Sequence, residues 1–139
     1  MAVENNVSII KAALDNGENV VITGDAGLGK TYLLKTLGAE LKSNGKKVIN
    51  CFPGDSLNEE NTSFIAHHKL KEVICNEEST FLLIDELDNL VEAETILSCV
   101  KPTVSIIATT QNLNELVKMR LDKYFKQVIN LSNNEVIQL

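Results

Sequence analysis

The sequence is poor in the cations and aromatic side chains with which proteins hold nucleic acids. Arg120 is its only arginine, tryptophan is absent and aromatic residues make up 4% of the chain. Lys and Arg together number 13 against 19 Asp and Glu, which gives a formal net charge of −6. An acidic chain with one arginine is a poor general binder of a phosphate backbone. Composition therefore does not favour a nucleic-acid-binding surface.

Side chains that bind metals or cross-link chains are also few. The three cysteines, Cys51, Cys75 and Cys99, are scattered and form no C-x-x-C pair. We therefore expect small core residues, and neither a disulfide framework nor a zinc site. His67 and His68 are adjacent and are the only histidines. Adjacent side chains on a helix point in different directions, so surface or partly buried positions are predicted for them rather than metal ligation.

Long hydrophobic runs are missing as well. No apolar stretch approaches the ~18 residues of a membrane-spanning helix. The first six residues, M-A-V-E-N-N, are acidic and polar, unlike a secretory signal. We therefore expect a cytoplasmic protein without a membrane span. With 139 residues, 44% hydrophobic and 23% charged, residues 1–139 are predicted to form one globular domain.

Short apolar runs alternate with longer segments of helical periodicity. Strands are predicted at 19–23, 47–52, 80–84, 103–109 and 128–131, and 136–139 is a candidate edge strand after a turn at Asn133-Asn134. Helices are predicted at 4–16, 29–43, 62–75, 87–100 and 112–125. The strands are apolar on both faces, which is typical of a parallel sheet covered on both sides. The predicted fold class is therefore α/β, a three-layer sandwich around a mostly parallel five-stranded sheet.

The segment 24–31, G-D-A-G-L-G-K-T, fits the pattern G-x-x-x-x-G-K-[ST] at every fixed position. It joins a predicted strand to a predicted helix, so backbone N–H groups and the helix N-terminus can surround a phosphate chain. Lys30 would reach the β- and γ-phosphates, and the Thr31 hydroxyl would bind Mg²⁺. Tyr32 either contacts the base or ribose or packs in the core. The predicted nucleotide-binding residues are Gly24, Asp25, Ala26, Gly27, Leu28, Gly29, Lys30, Thr31 and Tyr32.

A second acidic motif follows the third predicted strand. F-L-L-I at 81–84 leads directly into Asp85 and Glu86. Ligands of open α/β sheets bind at the carboxyl ends of the strands, where these carboxylates are expected. Asp85 is predicted to hold Mg²⁺ through water, and Glu86 to orient or deprotonate the attacking water. The alternative is that the two residues only cap the following helix.

Together these motifs resemble the P-loop NTPases, and the Asp85-Glu86 pair resembles the branch with an additional catalytic glutamate, which includes AAA+ and RecA-like ATPases. The resemblance covers about residues 19–131 and implies the sheet order 5-1-4-3-2. It also implies a γ-phosphate sensor at the end of the fourth strand, either Thr110 or Gln111. The C-terminal helical lid of full AAA+ proteins is not found, so residues 1–139 are expected to be a minimal domain.

The resemblance also implies a role for Arg120. AAA+ proteins place an arginine in this region that reaches the active site of a neighbouring subunit. Under that hypothesis the chain hydrolyses ATP only after self-association, or with a protein partner that supplies the missing lid or arginine. The alternative is a surface arginine paired with Asp122 or Glu115.

Mg²⁺-dependent ATP hydrolysis is the function that these residues favour. ATP is preferred because the guanine-reading pattern N-K-x-D is absent. A nucleotide-dependent binding module with little turnover of its own is the main alternative. A small-molecule kinase is less favoured: Asp55 follows the second strand as a substrate-binding acid would, but one arginine cannot build the lid of such an enzyme. A nucleic-acid motor is the remaining alternative, and the net charge does not favour it.

Overall fold

A computed structural model describes residues 3–53 and 64–139. The candidate kinase residue Asp55 lies outside these ranges. The helices are α1 (Val3–Asp15), α2 (Lys30–Ser43), α3 (Leu70–Ile74), α4 (Ala93–Ser98) and α5 (Leu113–Lys118). The strands are β1 (Val20–Thr23), β2 (Val48–Phe52), β3 (Phe64–Ala66), β4 (Phe81–Ile84), β5 (Ser105–Thr110), β6 (Gln127–Asn130) and β7 (Glu135–Gln138). Short 3₁₀ turns at 67–69, 87–89 and 122–124 complete the fold.

The strands form one sheet in the order β3-β2-β4-β5-β1-β6-β7. The five strands predicted from the sequence correspond to β1, β2, β4, β5 and β6, and their spatial order agrees with the predicted 5-1-4-3-2. All pairs are parallel except β6–β7. The mostly parallel α/β class is therefore confirmed.

Each central strand contributes to two hydrophobic cores, one on each face of the sheet. In β1, Val20 and Ile22 pack with α1 and α2, whereas Val21 packs with the opposite layer. In β4, Leu83 joins the first core, and Leu82 and Ile84 join the second. Alternate side chains of a strand point to opposite faces, so an uninterrupted apolar run is what a doubly covered strand requires. The three-layer arrangement follows from this pattern.

Both edges of the sheet carry a strand beyond the predicted five. The prediction of one helix over 62–75 is wrong: residues 64–66 form β3, and the helix is confined to α3. β3 pairs in parallel with β2, and the Phe64 ring stacks on Phe52 with centroids 5.1 Å apart. Pairing with an open sheet edge and ring contact outweigh the helical periodicity here. At the other edge, β7 returns antiparallel after the turn at Asn134 (φ 56°), as expected.

Two further helices are shorter than predicted because left-handed residues interrupt them. Glu92 (φ 59°) precedes α4, so the segment 87–100 is a 3₁₀ turn followed by a six-residue helix. Val91, which the helical pattern places on the core side, is 77% exposed. Arg120 (φ 61°) ends the helical segment 112–125 after α5. The spacing of apolar residues can continue past a left-handed residue that ends the helix. A prediction based on that spacing therefore overestimates helix length.

The expectation that all three cysteines are free core residues is wrong for two of them. Cys75, after α3, and Cys99, after α4, form a disulfide with Cα atoms 5.5 Å apart. Cys51 in β2 is free and fully buried, as expected. The two helix ends meet on one face of the sheet, a tertiary proximity that the 24-residue spacing does not reveal. Among the helices in the described parts of the chain, none has the length and apolarity to cross a membrane.

Candidate functional site

The loop between β1 and α2 passes the carboxyl end of the central strand. Gly27 and Gly29 adopt φ values of 87° and 90°, a region that glycine enters without steric cost. Gly29 is the N-cap of α2, and among the described residues no side chain caps that helix end. Free N–H groups at a helix N-terminus form an anion-binding site together with the helix dipole. The loop therefore has the backbone geometry that the sequence pattern predicts for phosphate binding.

Lys30, the first residue of α2, folds back over this loop. Its Nζ donates to the carbonyl of Gly24 and, at 3.2 Å, to that of Asp25. The ammonium group thus lies against the backbone carbonyls at the start of the loop. This location places a positive charge where a bound phosphate chain would be surrounded by donors.

Thr31 and Asp85 meet at the base of the loop. Thr31 Oγ1 lies 3.1 Å from Oδ1 and 3.0 Å from Oδ2 of Asp85. The Asp85 side chain is buried, with 3% exposure, and receives a further hydrogen bond of 2.7 Å from Thr109 Oγ1. The two hydroxyl groups compensate the burial of a carboxylate. Thr109 was not singled out from the sequence, although strand register could have found it, since Ile84 pairs with Ala108 one residue earlier.

Glu86 stands beside Asp85 in a left-handed conformation (φ 53°). Its backbone N–H donates to Thr109 Oγ1 at 2.8 Å. Asn89 Nδ2 donates to its carboxylate Oε1, also at 2.8 Å. Glu86 is the N-cap of the 3₁₀ turn 87–89, but its side chain makes no capping hydrogen bond. The alternative that this carboxylate only caps a helix is therefore wrong.

The end of β5 carries the two candidate sensor residues. Thr110 is buried, with 1% exposure, and its Oγ1 has no hydrogen-bond partner among the described residues. Gln111 is exposed, and its carbonyl accepts a hydrogen bond of 3.1 Å from Gly24 N–H. Both residues line the same cleft as Glu86.

That cleft has a volume of about 740 Å³, large enough for a small-molecule ligand. It brings together residues from the loop, β5 and the turn after β4: Ala26, Gly27, Gly29, Lys30, Thr31, Tyr32, Lys35, Glu86, Asp88, Asn89, Thr109, Thr110 and Gln111. Six of the nine predicted nucleotide-binding residues are among them. Gly24, Asp25 and Leu28 are not, although all three belong to the same loop. Tyr32 is 64% exposed at the cleft, so the alternative of core packing is wrong for it.

The donor set at the base of the cleft suits a magnesium ion. Thr31 and Asp85 offer a hydroxyl and a carboxylate within 3.1 Å of each other, and Mg²⁺ prefers such oxygen ligands. Within the described residues, no cluster of three or more His, Cys, Asp or Glu could enclose a metal by itself. Mg²⁺ characteristically needs no such cage, because waters and substrate phosphates complete its coordination.

Arg120 lies apart from this cleft. It is exposed at the end of α5 and is not among the cleft residues. In the part of the chain that the structure describes, it forms no ion pair with Asp122 or Glu115, and Glu115 pairs instead with Lys118 at 3.7 Å. The predicted pairing of Arg120 on its own surface is therefore wrong. The hydrogen bond from Lys123 lowers the pKa of Glu94, and the charge of Arg120 adds to this effect at longer range.

His67 contacts the backbone of Asp85, an interaction that the sequence did not indicate. Its Nε2 lies 2.6 Å from the backbone carbonyl of Asp85, and the half-buried ring thereby supports the end of β4. The predicted surface or partly buried positions are confirmed, since His67 is half-buried and His68 is exposed. Asn89 and Lys35 are further cleft residues without a motif of their own.

The family model of the AAA proteins, "ATPase family associated with various cellular activities", matches residues 20–133. The match includes the phosphate loop, the Asp85-Glu86 pair and the end of β5. The chain therefore belongs to the AAA family of P-loop NTPases. No curated protein matches this chain significantly.

Solved structures agree with this fold. The genome packaging NTPase B204 of Sulfolobus turreted icosahedral virus 2, solved with AMPPCP, superposes with a TM-score of 0.58 at 20% identity, over 81% of this chain and 73% of B204. AMPPCP-bound DnaA from Aquifex aeolicus superposes with a TM-score of 0.57 at 22% identity, over 89% of this chain and 44% of DnaA. A chain from the structure of Drosophila ORC bound to AT-rich DNA and Cdc6 superposes with a TM-score of 0.63 at 17% identity. The match covers 94% of this chain and 54% of that chain. At these identities the likeness establishes the fold alone.

Proposed function

We propose that this chain binds Mg-ATP in the 740 Å³ cleft and hydrolyses the β–γ bond. The observation that carries the proposal is the convergence, at one end of the sheet, of the phosphate loop, the Thr31–Asp85 pair and the Glu86 carboxylate. Binding of Mg-ATP would require only the phosphate loop and the Thr31–Asp85 pair. The additional carboxylate of Glu86 is suited to activating a water molecule for hydrolysis. Structures of B204 and DnaA contain ATP analogues, which supports the choice of nucleotide.

Each of these residues has its own role in binding or hydrolysis in this proposal. Backbone N–H groups of the loop and Lys30 hold the phosphates. Thr31 and Asp85 would hold Mg²⁺, Asp85 through water, and the ion would neutralise charge on the phosphate oxygens. Glu86 accepts a proton from the attacking water and orients it. Tyr32, which is exposed and lines the cleft, would contact the base or ribose.

Thr110 is the better supported of the two sensor candidates. Its hydroxyl is buried at the cleft without a partner among the described residues, and an unsatisfied buried group is costly unless a ligand completes it. Gln111 is exposed, and its side chain is not among the buried groups that lack a partner in the described residues. We assign γ-phosphate sensing to Thr110 and a secondary contact to Gln111.

Arg120 is assigned to a neighbouring subunit's cleft. Phosphoryl transfer is accelerated by a cation at the transition state, and an arginine supplied in trans can contribute a factor of about 10³–10⁵. Arg120 is exposed, lies outside its own cleft and makes no ion pair with Asp122 or Glu115 among the described residues. In this proposal the active site is completed by self-association, or by a protein partner.

Phosphate release from Mg-ATP over a range of protein concentrations tests the proposal, with Lys30→Ala as the control. Specific activity above the control that rises with concentration is the expected result. Activity at the control level throughout, with ATP still bound, would instead identify a nucleotide-dependent binding module. Failure to bind ATP would contradict both functions.

A further inference from the structure

Glu86 and Asn89 are joined by two hydrogen bonds. Asn89 N–H donates to the Glu86 carbonyl at 2.9 Å, and Asn89 Nδ2 donates to Glu86 Oε1 at 2.8 Å. The first bond closes a single turn of 3₁₀ helix, and the second links the two side chains across the same turn. The pair therefore forms a small ring of backbone and side chain at the edge of the cleft, to which both residues contribute.

The core holds this turn in place independently of the side-chain bond. Leu87, inside the turn, is fully buried, and Leu90, directly after it, is 4% exposed. Asn89 itself is exposed. Truncating Asn89 should therefore remove the bond to the carboxylate without unfolding the turn.

Asn89 is the described residue whose side chain restrains the Glu86 carboxylate. Thr109 binds only the backbone N–H of Glu86 and leaves the carboxylate untouched. In the described residues no donor engages Oε2, so fixing Oε1 leaves the second oxygen to accept a hydrogen bond from water. A catalytic group gains rate when it is held in the reactive geometry before the substrate arrives.

We propose that Asn89 is a positioning residue, which holds the Glu86 carboxylate in one orientation toward the attacking water. The inference rests on the proposed hydrolytic function of the same cleft. It assigns Asn89 no contact with the nucleotide, so Asn89 should affect kcat and leave the KM for ATP unchanged.

Asn89→Ala removes the whole side chain beyond Cβ, including the hydrogen-bond donor. Asn89→Asp keeps the shape of the side chain and removes only the donor, because an ionised aspartate cannot donate a hydrogen bond. We expect kcat to fall about tenfold in both, a part of the 10²–10⁴ that a general base contributes, with KM within about twofold. Asn114→Ala, an exposed asparagine in α5, is the matched control and should retain wild-type kcat. An Asn89→Ala protein with wild-type kcat would overturn the inference.

A second measurement detects the contact without turnover. The side-chain amide signal of Asn89, assigned in a ¹H–¹⁵N spectrum by its loss in Asn89→Ala, should shift when Glu86 is replaced in Glu86→Ala. An unchanged signal would show that the bond does not form in solution and would also overturn the inference. Wild-type turnover no higher than Lys30→Ala would be a failure of the proposed function, and the amide signal would then decide the question for Asn89.

Discussion

The hydroxyl of Thr31 lies 3.0 Å from Oδ2 and 3.1 Å from Oδ1 of Asp85, although 54 residues separate them in the sequence. Thr31 is the second residue of α2, and Asp85 follows the end of β4, so the contact joins the end of the phosphate loop to a strand that does not pair with β1 in the sheet. The two motifs recognised in the sequence thus form one polar centre, from which binding and hydrolysis can be tested separately.

Thr31→Val should remove the Mg²⁺-dependent part of ATP affinity. Valine has the shape of threonine but lacks the hydroxyl that contacts Asp85. Loss of an oxygen ligand from this small donor set should weaken Mg-ATP binding by about tenfold or more. Titration calorimetry with ATP in Mg²⁺ and in EDTA measures the difference. Thr31→Ser keeps the hydroxyl and should bind as the wild type does; equal weakening of both variants would argue against a magnesium ligand.

Glu86→Gln should separate binding from turnover. The amide keeps the size of the side chain and can still face Asn89, but it cannot accept a proton from water. We expect phosphate release to fall by a factor of about 10²–10⁴, with the Kd for Mg-ATP nearly unchanged. Rapid-quench or coupled phosphate assays measure the rate of phosphate release, and titration with a fluorescent ATP analogue measures the Kd. A variant with near-wild-type turnover would remove Glu86 from the mechanism.

The sequence predicted the parts of this molecule that repeat a local pattern. Apolar runs located the central strands, and glycine spacing located the loop before α2, because each depends on nearby residues. Thr109 escaped prediction because it contacts Asp85 across two neighbouring strands, 24 residues away in the sequence. Asn89 escaped because its bond to Glu86 depends on a 3₁₀ turn at residues 87–89, where the apolar pattern predicted a continuous helix. β3 was missed for a related reason, since a three-residue strand is stabilised by its pairing with β2 and not by its own pattern.

The Cys75–Cys99 disulfide should contribute measurably to stability. It closes a loop across 24 residues, for which chain-entropy arguments give about 3 kcal/mol. Cys75→Ser/Cys99→Ser should therefore lower the free energy of unfolding by roughly that amount in urea.

Thiol counting distinguishes the oxidised from the reduced form. Burial raises the pKa of Cys51 to about 12, so its thiol should not react with a thiol reagent at pH 8 while the protein is folded. Without reductant, the unfolded chain should then expose one thiol of the three cysteines. Three reactive thiols would show that Cys75 and Cys99 are not paired.

The surface pair of Glu94 and Lys123 should be visible in the titration of Glu94. Lys123 Nζ donates to Glu94 Oε2 at 2.6 Å, and this bond, with the charges of Lys123 and Arg120, lowers the pKa of Glu94 below its ordinary 4.5. Because the folded pKa is the lower one, the pair stabilises the fold above the unfolded pKa. That contribution is lost as pH falls through the folded value.

Side-chain carboxyl NMR measures this pKa directly. Lys123→Ala should return the pKa of Glu94 toward 4.5, while Lys101→Ala, which removes the partner of Glu78, should leave Glu94 unchanged. The same pKa in Lys123→Ala and wild type would mean that the hydrogen bond is absent in solution.

Arg120 allows its structural and catalytic roles to be separated by one substitution. Leu121 N–H donates to the Leu116 carbonyl and Arg120 N–H donates to that of Val117, the two bonds of a helix end that normally has glycine at the left-handed position. Arginine at φ 61° is strained there. Arg120→Gly should therefore raise the free energy of unfolding by about 0.5–1 kcal/mol, although the guanidinium is lost.

If Arg120 acts in a neighbouring subunit, this more stable variant should lose turnover while it still binds Mg-ATP. Lys30→Ala should be inactive for a different reason, because its own phosphate loop lacks the lysine while its Arg120 is intact. Mixing the two variants should restore part of the phosphate release, since an Arg120→Gly cleft can then meet the arginine of a Lys30→Ala subunit. Phosphate release against mixing ratio measures this at fixed total protein. Wild-type turnover by Arg120→Gly alone, or no recovery in any mixture, would contradict an arginine acting between copies of this chain.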